Sequence, residues 1–174
     1  MPRTLLAWET RPPLLIFTDG ALEGEKREIG TMGGAVYDGK EVQYFGARLP
    51  AWLMRQLQHE TDNVIAAIEL YPVAVALDLW PERVLHRRVF SFIDNDAARA
   101  CLVRMATNVP SMLKVVERIS SFQMATPSFF WYCRVPSHSN PADNPSRLKR
   151  LEVEAEGAVK RKVSNDFWDK MRRG

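Results

Sequence analysis

Two acidic residues each follow a short apolar run in the sequence. Residues 14–17 lead into Asp19, and residues 89–93 lead into Asp94. Ligands of open α/β sheets gather at the carboxyl ends of the strands, so two neighbouring parallel strands would bring both carboxylates into one crevice. Carboxylates held that close repel each other unless a cation lies between them. The alternative is that each aspartate only starts a turn or caps a helix, as Asp94 could before the helix predicted after it.

Glu69 is a third acid, and it lies within an apolar stripe of a predicted helix. Ile65 and Val73 lie four residues before and after it, so they share its helix face. A carboxylate is costly to bury among apolar side chains unless a partner or a metal ion satisfies it. The alternative is a glutamate at the edge of the stripe that reaches water.

Asp143 is the fourth acid, in a polar segment at 136–147 that also contains serine, histidine and asparagine. The segment is predicted to be a loop that enters a helix just after a strand, and such a loop can form the edge of a site. The alternative is that Asp143 only interacts favourably with the dipole at the N-terminus of that helix.

Together these acids fit one chemistry. Four carboxylates without a cysteine ligand favour Mg²⁺ or Mn²⁺ over zinc, because hard oxygen donors suit these ions. Two such ions about 3.5–4 Å apart form the clamp that supports in-line attack on phosphodiesters, with one ion activating the water and the other stabilising the leaving oxygen. The sequence therefore predicts a two-metal nuclease whose metal ligands are Asp19, Glu69, Asp94 and Asp143.

The elements predicted around these acids begin with three antiparallel strands. The first covers residues 14–17 and stops at Thr18-Asp19-Gly20, where glycine permits a sharp exit. A polar loop leads to a second strand at 31–37, and Asp38-Gly39 is a strong hairpin turn into a third strand at 41–49.

A helical stretch is predicted from Pro50 to about Trp80, and Pro72 should kink or divide it. The fourth strand, at 87–93, is almost continuously apolar, which predicts burial on both faces. The remaining elements are helices at 96–106 and 112–122, a fifth strand at 129–135 and a basic helix from about Ala142. This order predicts an α/β fold with a mixed sheet.

The size and composition are those of one globular domain with a tail. The 174 residues are 46% hydrophobic and 26% charged, which supports a core and argues against wholesale disorder. Cys101 and Cys133 show neither a CxxC spacing nor a histidine cluster, so neither zinc nor a disulfide framework is indicated. We see no signal peptide and no apolar run of about 18 residues, so we expect an intracellular protein without a membrane partner. We predict a leader at 1–13, a catalytic domain at 14–150 and a basic helix or tail at 151–174.

The net charge of +3 is mild, but its distribution is uneven. A basic segment beside a near-neutral or acidic body suits a polyanion such as nucleic acid, although a solvated terminal helix has the same composition, and both interpretations stay open. The basic residues of the C-terminal end are Arg147, Lys149, Arg150, Lys160, Arg161, Lys162, Lys170, Arg172 and Arg173.

In sequence order, the motifs around the acids resemble those of ribonuclease H domains. They cover residues 14 to about 150, and their joint order is more specific than any one of them. The last motifs are most similar to the ribonuclease H region behind the reverse transcriptase of tyrosine-recombinase (DIRS-like) retroelements. The motifs are Ile16-Phe17-Thr18-Asp19-Gly20-Ala21, Gly33-Gly34-Ala35-Val36-Tyr37, Ile68-Glu69-Leu70, Phe92-Ile93-Asp94-Asn95 with Ala97-Ala98, Val135-Pro136-Ser137, Asn140-Pro141-Ala142-Asp143 and Ser146-Arg147.

This resemblance implies an endonuclease that hydrolyses the RNA strand of RNA–DNA hybrids and leaves a 3′-hydroxyl. It implies that Asp19, Glu69, Asp94 and Asp143 hold the metal ions, in a five-stranded sheet of order 3-2-1-4-5. It also implies a histidine before the last aspartate that aids catalysis or product release, and His138 is the candidate. Family members carry a tryptophan-rich basic handle between the fourth and fifth strands that this sequence lacks. We therefore expect the C-terminal basic segment, or a neighbouring domain such as a reverse transcriptase, to hold the substrate.

Two alternatives to the hybrid-cutting enzyme remain at this point. The first is a nuclease of the same fold that cuts DNA, as a resolvase or integrase does, because the contacts to the 2′-hydroxyl that distinguish RNA from DNA cannot be identified in the sequence. The second is a non-catalytic domain that binds nucleic acid or protein. All four acids are intact, which argues against loss of catalysis.

Overall fold

A six-stranded mixed sheet forms the centre of the computed structural model, which describes residues 11–155 and 157–173. The sheet order is β5-β4-β1-β2-β3-β6. β2 is antiparallel to both β1 and β3, whereas the β1–β4, β4–β5 and β3–β6 pairs are parallel. The strands are β1 (Leu14–Glu23), β2 (Ile29–Tyr37), β3 (Val42–Arg48), β4 (Arg88–Ile93), β5 (Phe129–Arg134) and β6 (Val159–Lys160).

The predicted α/β class and the order of the first five strands are confirmed, but the predicted strand number is wrong. β6 adds a sixth strand, which pairs with Gln43 and Tyr44 of β3. Two residues are too few to produce an alternating pattern, so this strand depends on its partner and not on a local sequence signal.

β1 is also longer than predicted. Its pairing with β2 continues from Leu15–Tyr37 to Glu23–Ile29, through the polar residues that were expected to end the strand. The parallel pairing with β4 ends at Phe17 and Phe92. Asp19 therefore lies inside β1 but just past the end of the β1–β4 ladder.

The helices between β3 and β5 cover one face of the sheet. The predicted helical stretch from Pro50 to Trp80 is divided. Pro72 lies in the first turn of a helix, where backbone N–H groups have no partner within the helix, so the N–H that proline lacks costs no hydrogen bond. The main break falls before it, at Glu69 and Leu70. The helices up to β5 are α1 (Ala51–Glu60), α2 (Val64–Ile68), α3 (Tyr71–Leu79), α4 (Pro81–Val84), α5 (Asp96–Arg104) and α6 (Pro110–Ala125).

The prediction of one basic helix from Ala142 is wrong. The C-terminal region contains a 3-10 turn at Ser137–Ser139, α7 (Asp143–Ser146), α8 (Arg150–Ala155), β6 and α9 (Asn165–Arg173). Leu148 and Gly157 have positive φ values of 59° and 80°, which a continuous helix cannot contain.

The main core lies between the sheet and the helices, and α9 contributes Phe167 and Met171 to it. Alternate residues of β4 are buried on this side, so the predicted burial of both faces of that strand is wrong. On the opposite face, α7 contacts β1, β2 and β3. None of the helices in the described part of the chain is long and apolar enough to cross a bilayer.

The predicted division into a leader, a catalytic domain and a C-terminal segment stays a prediction. Residues 1–10 of the leader lie outside the described residues.

Candidate active site

Three of the four predicted acids meet in the fold. Each of Asp19, Glu69 and Asp94 offers a carboxylate oxygen, and these atoms lie within 4.8 Å of one another. They line an open cleft of about 400 Å³ at the end of the β1–β4 ladder. The fold thus brings Glu69 close to Asp19, 50 positions before it in the sequence, and to Asp94, 25 positions after it.

Asp94 lies directly after β4 and faces this cleft. The alternative that it caps the following helix is wrong, because the cap of α5 is Asn95, whose side chain accepts a hydrogen bond from the backbone N–H of Ala98 at 3.0 Å. The carboxylate of Asp94 is therefore not needed to begin the helix.

Glu69 approaches Asp19 because residue 20 has no side chain. Glu69 is the C-cap residue of α2 and lies in the turn between α2 and α3. A Cβ atom on Gly20 would lie 2.8 Å from Cγ2 of Ile68 and 3.2 Å from the backbone nitrogen of Glu69. The close contact between β1 and the end of α2 therefore requires glycine at this position, and the Gly20 N–H donates a hydrogen bond to the Glu69 carboxylate.

The alternative that Glu69 reaches water is also wrong. Its side chain is only 3% exposed, and its Oε2 atom has no hydrogen-bond partner within the described residues. The pKa of Glu69 is raised to about 10, chiefly by burial and in addition by the nearby charges of Asp19 and Asp94. An ionised carboxylate in this position is stable only with a positive partner.

Asp19 is buried as well. Burial raises its pKa to about 6, against the effect of a hydrogen bond that the Ser146 hydroxyl donates to Oδ2. Ser146 belongs to α7, which can approach the sheet because residue 33, paired with Asp19 in the β1–β2 ladder, is glycine. A Cβ atom on Gly33 would lie 2.5 Å from the carbonyl carbon of Pro145.

Asp143 lines the same cleft but is not part of the three-acid cluster. It is half-buried, and Nε of Arg147 donates a hydrogen bond to its Oδ1 at 2.9 Å. The loop before it is attached to β1 by Asn140, whose Nδ2 donates to the carbonyl of Thr18 at 3.0 Å. The structure thus places Asp143 at the rim of the cleft.

His138 does not line the carboxylate cleft. It is exposed and faces an adjoining cleft of about 430 Å³, which shares Ser137 and Asp143 with the first. Its role in catalysis or product release stays a prediction.

Two cations of the carboxylate cleft were not predicted as site residues. Arg147 follows the last motif directly, so its position next to Asp143 could have been inferred from the helical spacing of four residues. Arg27, in the β1–β2 loop, also lines the cleft, and no local pattern in the sequence indicates this.

The donor set fits hard divalent cations. It consists of carboxylate oxygens, it includes a buried oxygen atom without a partner in the described residues, and neither cysteine lines the cleft. Asp19, Glu69 and Asp94 would hold such an ion, with Asp143 available at the rim.

No protein-family model matches the sequence, and no curated protein matches it significantly. Solved structures of ribonuclease H domains do match the fold. The N-terminal RNase H domain of a Mycobacterium tuberculosis protein has a TM-score of 0.58 at 14% identity, covering 84% of this chain and 99% of that chain. RNase H1 from the archaeon Halobacterium salinarum has the same TM-score and identity, with coverages of 83% and 99%. LC11-RNase H1, solved in complex with an RNA/DNA hybrid, has a TM-score of 0.55 at 14% identity, with coverages of 78% and 94%. The chain therefore has the ribonuclease H-like fold.

Proposed function

We propose that this protein is a divalent-metal-dependent ribonuclease H, an endonuclease that hydrolyses the RNA strand of RNA–DNA hybrids. The observation that carries the proposal is the buried Glu69 carboxylate, whose Oε2 has no partner in the described residues and lies in the cluster with Asp19 and Asp94. A fold stabilised only by packing has no reason to bury such a group.

The residues of the cleft have separate tasks in this proposal. Asp19, Glu69 and Asp94 hold the metal ions in their deprotonated form, and Asp143 completes the ligand set from the rim. Ser146 orients Asp19, and Arg147 orients Asp143. When bound, divalent ions supply an activated water and neutralise charge on the phosphodiester. Mg²⁺ or Mn²⁺, as two ions, fits these ligands best.

The substrate assignment is supported by two further observations. One of the proteins with a similar fold, LC11-RNase H1, was solved with an RNA/DNA hybrid. In addition, the motifs from Asn140 to Arg147 resemble those of retroelement enzymes. They include Asp143 and Arg147, which line the cleft, and Ser146, which donates a hydrogen bond to Asp19. We therefore propose that the chain is the ribonuclease H region of, or derived from, a retroelement reverse transcriptase, with an adjoining polymerase domain as its partner.

A cleavage assay tests the activity. Matched RNA–DNA hybrid, double-stranded RNA, double-stranded DNA and a four-way junction are incubated with the protein, with and without Mg²⁺, and separated on a gel. We expect Mg²⁺-dependent cleavage of the hybrid alone. Cleavage of DNA or of the junction instead would favour a DNA nuclease, and no cleavage with intact metal binding would favour a non-catalytic domain.

Neighbouring aspartates provide a matched pair of variants for this assay. Asp94→Asn removes a carboxylate of the cluster, whereas Asp96→Asn removes an exposed one that pairs with Arg99 and Arg134 outside it. We expect Asp94→Asn to keep the fold and lose cleavage, and Asp96→Asn to remain active. Equal activity of the two variants would contradict the assignment.

A further inference from the structure

The C-terminal helix α9 has an asymmetric charge distribution. Its acidic residues, Asp166 and Asp169, precede its cations Lys170, Arg172 and Arg173, which lie in the last turn. Phe167 and Met171 are buried in the main core, so the helix is docked on the domain and its cations have a fixed location.

Ring contacts show where this last turn lies. The rings of Trp168 and Tyr71 are 6.3 Å apart, and Tyr71 begins α3 only two residues after Glu69. The guanidinium of Arg172 lies 5.8 Å from the ring centroid of Trp52, near the start of α1. Through Trp168 and Tyr71, α9 therefore packs against the start of α3, two residues after Glu69.

A further concavity at this position contains two cations. We call it the α9 cleft; it has a volume of about 240 Å³, and its walls include Trp52, Tyr71, Ser111, Lys114 and Arg172. Lys114 and Arg172 are exposed, and neither forms an ion pair within residues 11–155 and 157–173. They come from α6 and α9, which are far apart in sequence.

Two simpler explanations account for only part of this arrangement. Cations in a last helical turn interact favourably with the helix dipole, which explains Arg172 but not Lys114, near the start of α6. The start of α6 does not itself provide an anion site, because the N–H of Ser111 donates to Glu60 at 2.8 Å. An anion in the α9 cleft would therefore be bound by the side chains of Lys114 and Arg172.

We propose that the α9 cleft binds a backbone phosphate of the nucleic acid whose strand is cut at the carboxylates. This inference depends on the proposed function for the identity of the ligand. Lys114 and Arg172 supply the charge, and the guanidinium of Arg172 makes a cation–π contact with the ring of Trp52. We expect one duplex, whose helical turn covers roughly 34 Å, to reach both clefts, because Tyr71 of the α9 cleft lies two residues after Glu69 of the carboxylate cleft.

Point substitutions test this surface better than truncation, because removing α9 would also remove Phe167 and Met171 from the core. The test compares Lys114→Gln/Arg172→Gln with Lys40→Gln/Arg104→Gln, each in the Asp94→Asn background so that the substrate is not cut. Lys40 lies at the β2–β3 turn, and Arg104 lies in the last turn of α5, where it matches the dipole role of Arg172. Fluorescence anisotropy measures the affinity for labelled RNA–DNA hybrid between about 50 and 200 mM salt.

We expect the Lys114/Arg172 variant to bind roughly three- to tenfold more weakly and to reduce the slope of log K against log salt by about one. The Lys40/Arg104 control should keep both values. Arg172→Lys, which retains the charge, should keep most of the slope, and thermal melting should show that all the variants are folded.

Each of the other outcomes has a definite meaning. An unchanged slope together with normal cleavage by the wild-type protein would overturn the inference and leave the proposed function intact. A reduced slope with no cleavage of any substrate would support the phosphate site and contradict the nuclease. If inorganic phosphate raises the melting temperature of the wild type but not of the Lys114/Arg172 variant, while both bind the hybrid equally, the cleft binds a free anion and the inference is contradicted. If the variant loses binding to phosphatidylserine vesicles but keeps its affinity for the hybrid, the cleft binds a membrane and the inference is likewise contradicted.

Discussion

The carboxylate cleft has a buried half and an exposed half. Asp19 and Glu69 are 5% and 3% exposed, and contacts at Gly20 and Gly33 fix their positions. Asp143 lies on the other side, half-exposed, and is held by a side-chain hydrogen bond from Arg147. The comparison indicates that the buried carboxylates need a cation when they are ionised, whereas Asp143 is stabilised by solvent and by Arg147 without one.

Removing one acid from each half gives the largest expected contrast. Glu69→Gln should lower kcat/KM by a factor of about 10³ or more, equivalent to at least about 4 kcal/mol, because it removes the most deeply buried of the carboxylates that we propose as metal ligands. Asp143→Asn should cost less, about 10- to 100-fold. Steady-state cleavage of the hybrid measures both effects, with the exposed Glu117→Gln as the control. Equal losses for Glu69→Gln and Asp143→Asn would remove the distinction between the halves.

The buried half should also dominate the pH dependence of stability. The pKa values of Glu69, about 10, and Asp19, about 6, lie above the ordinary values of 4.5 and 3.8. The folded metal-free protein therefore binds protons more tightly than the unfolded chain, and it should lose stability as the pH rises from about 4 through these pKa values.

Mg²⁺ needs the deprotonated acids, so its stabilising effect should be larger at about pH 8 than at about pH 5, by an amount on the order of a few kcal/mol. Thermal melts with Mg²⁺ or with a chelator measure this difference. Asp143→Asn should keep most of the pH dependence and Glu69→Gln should lose much of it; the reverse would contradict the comparison.

A smaller effect is expected from the contact that joins the halves. Gly33→Ala would place a Cβ atom against the backbone of α7 at Pro145 and Ser146, where no flexible side chain can move away. We expect a loss of about 1–3 kcal/mol of unfolding free energy and weaker orientation of Asp19. Chemical denaturation measures the loss, and a variant as stable as the wild type would show that the α7 contact is looser than the structure indicates.

The smallest effect is expected at His138. The residue is exposed and faces the adjoining cleft, so His138→Ala should reduce kcat only severalfold and leave the Mg²⁺ stabilisation unchanged. Single-turnover and multiple-turnover cleavage would show whether the loss lies in the chemistry or in product release. A loss as large as that of Glu69→Gln would place His138 with the central ligands.

The features of the molecule that the sequence predicted have strong local signals. Asp94 follows an apolar strand, and Glu69 interrupts an apolar helical stripe, so both could be selected before their surroundings were known. The three antiparallel strands at the start of the chain, of which the second and third are joined by the Asp38-Gly39 hairpin turn, also have a clear pattern. The acids converge because β1 and β4 are parallel neighbours, as the resemblance to ribonuclease H domains implied.

The parts that the sequence did not predict depend on contacts between distant segments. β6 forms only because β3 provides a partner. The C-terminal segment was predicted only as a basic helix or tail, and the burial of Phe167 and Met171 of α9 in the core was not predicted. The continuation of β1 past Gly20 is likewise determined by pairing with β2, because its own residues resemble a loop. Local periodicity contains no information about such partners.

Metal binding with its accompanying proton release is the most direct test of the central claim, that buried acids of this fold hold divalent ions. Mn²⁺ is titrated calorimetrically into the protein near neutral pH, in two buffers of different ionisation enthalpy. Because the pKa of Glu69 is about 10 in the metal-free protein, its proton must leave when the ion binds. We expect the wild-type protein to bind Mn²⁺ with proton release and Glu69→Gln to bind more weakly with less release. Binding without proton release, or equal binding by both proteins, would contradict the account.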